Sequence, residues 1–195
     1  MPMGFSGEGA FVLEITLLRH GEPEFGLKGI VRADEIPKII TCYNQSGIKG
    51  LPPEHAIQTA QNCNAVICSN LPRSLLSAEA LGVTGVSLSH AIFREIALPH
   101  FKGGAVTLPL SLWLVVLRSL SAVGFSKNGE SMSMAKARAK QAAAMLVDLA
   151  RCHDRVLLVG HGFLNYFIAK ELLSNNWQGP AKPGGKYWEY AVYKN

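Results

Sequence analysis

Glu14-Ile-Thr-Leu-Leu-Arg-His-Gly-Glu22 is the stretch from which the rest of the chain can be read. Glu14 to Leu18 predicts a short β-strand, and its mostly apolar run is what a parallel strand covered on both faces looks like. The strand runs into Arg19-His20-Gly21. A glycine directly after a histidine lets the backbone turn sharply, so the imidazole points out at the carboxyl edge of a sheet, beside an arginine able to fork onto an anion. A second stretch repeats the pattern: Val156 to Val159 predicts another buried strand, followed by Gly160-His161-Gly162 and then directly by a helix. That puts a second imidazole at the same edge, next to the free N–H groups of a helix N-terminus. A third apolar run, Ala65 to Cys68, leads through Ser69-Asn-Leu-Pro to Arg73. Helix N-termini prefer acidic residues, so an arginine in a first turn makes sense where an anion sits nearby.

Helical patterns lie between and after these strands. Leu71 to Leu81 has Pro72 near its start and Gly82 just past its end, and Ala135, Ala139, Ala142, Leu146 and Leu149 form one stripe at helical spacing. Phe163 to Leu173 is apolar almost all round and predicts a buried helix. Tyr187 to Tyr193, rich in aromatics, predicts a last strand at an edge. Alternating strands and helices imply an α/β fold, a three-layer α/β/α sandwich with a mostly parallel sheet, in one domain. The stretches 26–51 and 96–128 break the alternation, and the second reads as a small cap inserted over the sheet's carboxyl edge, where ligands bind in such folds.

Composition narrows the function classes. With 195 residues, 48% hydrophobic and 17% charged, the chain is globular, not disordered. The apolar run Gly103 to Leu117 contains Pro109, ends at Arg118 and falls short of the roughly 20 residues of a bilayer span. No positive charge precedes Arg19 and no small-residue cleavage site follows Leu18, which predicts a cytoplasmic protein without a signal peptide. The four cysteines form no Cys-x-x-Cys pair, arguing against a zinc knuckle and for reduced thiols. Histidines 55, 90, 100 and 153 share no spacing with acids or cysteines that suits a metal. Nineteen basic residues against 14 acidic ones are scattered, without the Lys/Arg blocks of a nucleic-acid footprint, so an anionic small substrate fits better.

Five pieces in order, Leu17-Leu-Arg-His-Gly-Glu22, Ser69-Asn-Leu-Pro-Arg-Ser74 with Ser77-Ala78, Phe93-Arg-Glu-Ile96, Gly129-Glu-Ser131 with Arg138, and Val159-Gly-His-Gly162, resemble the histidine phosphatase (phosphoglycerate mutase-like) superfamily. The resemblance implies that His20 is the nucleophile that becomes phosphohistidine, that Arg19, Arg73 and His161 hold the phosphoryl oxygens, and that Glu95 is the general acid. It implies no cofactor and no metal. A neutral imidazole is a competent nucleophile near pH 7, guanidiniums supply charge where a phosphoryl transition state spreads it, and Glu95 would need partial burial under the cap to carry its proton. There are departures. Gly26 stands where many members carry a phosphate-touching asparagine, Ser77 replaces a threonine, and Ile96 to His100 lacks the common pattern after the acid, which makes Glu22 the fallback. Glu95 could also be a surface carboxylate paired with Arg94. Gly129-Glu-Ser131 reads equally as a helix start or as part of the pocket mouth.

The expected activity is a metal-independent phosphatase acting on phosphomonoesters. Within the resemblance, whose true mutases carry a longer insertion there, the short interval between Glu95 and Glu130 favours hydrolysis over a phosphoglycerate mutase-like transfer. A catalytically weak phosphate-binding module of the same fold is the rival from another class. The expected partner is a small phosphorylated substrate, with a hydrophobic portion suggested by the apolar cap. A phosphoprotein substrate and a homodimer stay open.

Overall fold

The computed structural model describes residues 12–195. In chain order it has β1 (Glu14–Arg19), β2 (Glu22–Pro23), β3 (Ile30–Arg32), α1 (Ile36–Gln45), β4 (Ile48–Lys49), α2 (Glu54–Gln61), β5 (Ala65–Ser69), α3 (Pro72–Ala80) and β6 (Leu88–His90). There follow β7 (Thr107–Pro109), α4 (Leu110–Ala122), α5 (Met132–His153), β8 (Arg155–Gly160), α6 (Gly162–Ser174) and β9 (Tyr190–Lys194). Five strands form the main sheet in the order β6-β5-β8-β1-β9. The first three contacts are parallel and β9 closes the edge antiparallel to β1.

Alternation along the strands explains the layers. Ile15 and Leu17 of β1, with Ile67, Val156 and Leu158, pack against α5 and α6 through Ala139, Ala142, Leu146, Leu164 and Ile168. Leu18, Val66, Cys68, Leu157 and Val159 face the other way, onto Ala56 and Ala60 of α2 and Ala78 of α3. Both faces are covered, so the strands read as continuous apolar runs and the three-layer α/β sandwich stands as expected. Gly82, at φ +79°, closes α3 in the left-handed conformation its sequence predicts.

Two differences concern the edges. The last strand starts at Tyr190, not Tyr187. Trp188 takes φ +66° and breaks the extended run, turning its indole, and Tyr187 before it, toward the end of β1. The cap, meanwhile, draws on both stretches that break the alternation. Ala33 and Ile36 pack with Leu110, Trp113 and Leu117 in a small separate core, and β3 pairs antiparallel with β7. Pro109 sits just before α4, where its missing N–H is not needed, and Leu110, Trp113 and Leu117 follow at helical spacing on one buried face. The opposite face exposes Leu112 and Val115. Among the described residues no helix is long and apolar enough to cross a membrane.

Candidate active site

The parallel register brings three strand ends together. Arg19 of β1 pairs with Gly160 of β8, and Cys68 of β5 pairs with Val159, so His20, Ser69 and His161 emerge side by side. The His20 N–H donates to the Gly160 carbonyl at 3.1 Å. The imidazoles of His20 and His161 meet edge to face, their centroids 4.8 Å apart. The glycine after His20 serves a purpose other than a sharp turn: its φ is not positive, and a Cβ there would lie 2.3 Å from the Trp188 indole. Its N–H donates to Ser77 Oγ at 2.8 Å, and Ser77 donates to the Arg73 carbonyl at 2.6 Å, so the serine in place of threonine still ties the first motif to the second. Gly160 is needed for the same steric reason, since a Cβ would meet Asn165 Oδ1 at 2.3 Å. Asn165 in turn donates to the Leu18 carbonyl at 3.1 Å.

The His20 tautomer follows from its partners. Arg73 Nε–H can only donate, and it points at His20 Nε2 across 3.3 Å. His20 therefore carries its hydrogen on Nδ1, which donates to the Gly21 carbonyl at 2.7 Å, and keeps its lone pair on Nε2. Burial lowers the His20 pKa to about 3; the Gly21 carbonyl opposes that shift, and the Arg73 and Arg19 charges add to it. His161, fully buried, is held well below the usual imidazole range by burial first and then by His20, Arg73 and Arg19. Both rings are neutral at pH 7. His161 Nε2 lies 2.6 Å from Ser69 Oγ, while its buried Nδ1 has no partner among the described residues.

Aromatic rings and carbonyls aim the two arginines. Arg73, 1% exposed, stacks 4.6 Å over Tyr43 and donates from Nη1 to the Tyr43 carbonyl at 3.0 Å and to Asn44 Oδ1 at 3.5 Å. Asn44 thus puts an amide beside the arginine, while Gly26 leaves the motif's own position without one. Arg19 stacks 4.4 Å over Tyr187 and donates to the Gly185 carbonyl. No carboxylate lies within ion-pair distance of either guanidinium among the described residues. Two buried or half-buried cations without a counter-ion make an anion site.

Glu95 is not paired with Arg94, which donates instead to Asn70 Oδ1 at 2.5 Å. Its carboxylate accepts the N–H groups of Phe163 and Leu164, both at 3.2 Å, and of Ile96 at 2.9 Å, capping the α6 N-terminus one residue beyond His161-Gly162. Glu130 and Arg138 form a two-pronged ion pair at 2.6 and 2.8 Å, and Arg138 also donates to the Ile92 and Arg94 carbonyls at 2.7 and 2.8 Å. Gly129-Glu-Ser131 is therefore both a helix start, with Ser131 Oγ accepting the Met134 N–H, and the brace of the loop that carries Glu95. Glu22 pairs with Lys49 at 3.0 Å on an exposed ribbon and lies outside the cavity wall.

Residues 15–184 match the histidine phosphatase superfamily (branch 1). The chain belongs to that superfamily. No curated protein matches it by sequence. Among solved structures it is similar to a mycobacterial glucosyl-3-phosphoglycerate phosphatase, with TM-score 0.61 and 19% identity over 94% of this chain and 90% of that one. An open reading frame of Mycobacterium tuberculosis gives 0.61 and 17% over 92% and 90%. A phosphoserine phosphatase of Entamoeba histolytica, in complex with 3-phosphoglyceric acid, gives 0.57 and 18% over 92% and 89%. At these identities the likeness speaks for the fold.

A cavity of about 810 Å³ opens between the sheet edge and the cap. Arg19, Arg73, Arg94, Arg118 and Lys182 line it, against the single carboxylate of Glu95. His20, 2% exposed, and His161, fully buried, do not line it; Arg73, which does, donates to His20 Nε2. Arg118 of α4 stacks 4.0 Å over Phe163, and burial lowers its pKa while Glu95 and Glu130 oppose the shift. Tyr43, Asn44, Arg118 and Tyr187 are the site residues that motif reading misses. Tyr187 alone left a trace, in an aromatic cluster that reads as strand.

Proposed function

We propose that this histidine phosphatase hydrolyses phosphomonoesters through phosphorylated His20, without a metal. The observation that carries this reading is the His20 imidazole itself, neutral, with Nδ1 tied to the Gly21 carbonyl and its Nε2 lone pair turned to Arg73 beneath a cationic cavity. A phosphoryl group entering the site draws the Arg73 guanidinium onto its oxygens and leaves Nε2 free to attack phosphorus. The P–O bond to the alcohol breaks as N–P forms, and Glu95, which accepts three N–H groups in the free site and takes up a proton with the substrate, gives it to the departing oxygen. Water then attacks the phosphohistidine, Glu95 takes the water's proton, and His20 is released with inorganic phosphate.

Ser69 has a supporting part. Its Oγ accepts the Leu71 N–H at 3.4 Å, and we assign its hydrogen to His161 Nε2. That tautomer puts the His161 hydrogen on the unpartnered Nδ1, a buried donor that a phosphoryl oxygen would satisfy. Arg19, Arg73 and His161 then share the charge of a loose transition state, which is the work a metal would otherwise do. Among the described residues no three His, Cys, Asp or Glu side chains converge as metal ligands would.

The test is phosphate release from p-nitrophenyl phosphate by wild type, His20→Ala and Glu95→Gln, with the phosphoenzyme trapped at alkaline pH. His20→Ala falls to background and traps no phosphate. Glu95→Gln loses about 10²- to 10⁴-fold in kcat. Turnover that survives in a folded His20→Ala protein, or that requires an added divalent ion, refutes the reading. Tight vanadate binding without turnover favours the phosphate-binding module instead.

A further inference from the structure

The cavity is far larger than a phosphoryl group requires, and its two ends differ in chemistry. One end holds Arg19, Arg73 and Glu95; the far wall is hydrocarbon, supplied by the half-buried Ile39 and Ile40 of α1, Leu114 of α4, and Leu98, with the buried Ile36, Leu110 and Leu117 behind them. A volume of about 810 Å³ is in the range that encloses a ligand of many heavy atoms. Three polar side chains line the cap side: Arg118, stacked over Phe163, and His100 and Asn128, which are engaged within the cap. His100 Nδ1 lies 3.3 Å from the Leu98 carbonyl, and Asn128 Nδ2 donates to the His100 carbonyl at 3.0 Å. A sugar or glycerol group placed against Ile40 and Leu114 would bury hydroxyls with no partners, whereas an alkyl or aryl group would lose only water.

Spacing on α4 separates this wall from the cap's own core. Leu110, Trp113 and Leu117 hold the cap together. Leu114 stands outside that cluster, half-buried, and faces the cavity one turn before Arg118. Its side chain therefore serves the chamber and not the packing beneath it.

We infer that the substrate is a phosphomonoester of an apolar alcohol, its hydrocarbon portion lying between α1 and α4 while its phosphate meets Arg19 and Arg73. This rests on the proposed function in locating the phosphate, but it concerns the alcohol, and binding alone can test it. The probes are n-alkylphosphonates from methyl to heptyl, titrated calorimetrically beside orthophosphate and glycerol 3-phosphate. Each added methylene tightens binding about fourfold until the chamber is filled, and heptylphosphonate binds well over a hundredfold tighter than methylphosphonate. Leu114→Asn cuts the gain to under twofold per methylene, with thermal melting confirming that it folds. Arg73→Ala abolishes binding of the whole series.

A flat series in which glycerol 3-phosphate equals heptylphosphonate overturns the inference and leaves the phosphatase reading intact. A steep series that Leu114→Asn does not change also overturns it, because the chain then lies elsewhere. If neither orthophosphate nor any phosphonate binds, the anion site fails, and the proposed function and the inference fail together.

Discussion

The phosphate end of the cavity and its capped end are built to different standards. At the phosphate end His20, Ser69, Arg73 and His161 are buried, and each is fixed by hydrogen bonds to backbone or to one another across three parallel strands. The capped end rests on five buried residues, the partly buried side chains packed on them and a three-residue ribbon, and no main-sheet strand passes through it. Groups that act on a phosphoryl transition state must be held in place before the substrate arrives, because reorganising them would add to the barrier. A wall that only excludes water from a hydrocarbon group needs shape without such precision. Under the proposed function, chemistry sits on the rigid sheet edge and selectivity on the thinner layer.

Cutting the thinner layer loose should give the largest effect. Trp113 is buried in the cap and donates its Nε1–H to the Val31 carbonyl at 3.0 Å. Trp113→Ala removes about 3–5 kcal/mol of packing, which exceeds what five residues can spare, so the cap opens while the sandwich stays folded. Hydrogen exchange then shows protection lost over 27–45 and 107–122 and retained over β1, β5 and β8. Loss of protection in both regions together would mean that cap and sandwich form one cooperative unit, and the contrast would fall.

A smaller effect should appear where the two regions meet. Glu130 and Arg138, with side chains 13% and 20% exposed, hold the loop that ends in Glu95. Glu130→Gln keeps the shape but loses the charge, so the loop loosens and Glu95 leaves its place on α6. We expect kcat to fall roughly tenfold, about 1.4 kcal/mol, with KM nearly unchanged because Arg19 and Arg73 are untouched. Equal changes in kcat and KM would instead place Glu130 in substrate binding.

The same contrast governs what the sequence could reveal. β1, β5 and β8 are covered on both faces, so their side chains are apolar almost throughout, with Thr16 and Ser69 as buried exceptions, and the histidines follow from the positions where those runs stop. Parallel register does the rest, since strands ending level place His20 and His161 together. The capped end obeys no such periodicity. Ala33 and Ile36 meet Leu110 and Trp113 across a long sequence separation, and nothing local in either segment predicts the pairing. The Tyr187–Arg19 stack is hidden for a related reason: it depends on Trp188 adopting φ +66° in a segment whose composition favours strand. Gly21 was visible as a glycine but not for its cause, because the indole that fills the space beside it comes from the other end of the chain.

A last expected effect is a pH dependence of stability that belongs to the rigid end. His20 has its pKa lowered by burial to about 3, against 6.5 for the unfolded chain. Below pH 6.5 the unfolded state gains a proton that the native state refuses, so stability is full above 6.5 and declines as pH falls toward 3. The slope is at most about 1.4 kcal/mol per pH unit for one such group. His161, lowered in the same direction and chiefly by burial, adds a second contribution of the same sign. Denaturant titrations of wild type and His20→Asn between pH 6.5 and 5, above the range where carboxylates dominate, isolate the first of these. The variant should lose stability less steeply by up to one histidine's share, although it lacks the proposed nucleophile altogether. Parallel curves would show that His20 exchanges its proton as readily in the folded protein as out of it. The site would then be wetter, and the edge less rigid, than its burial and its bond to the Gly21 carbonyl imply.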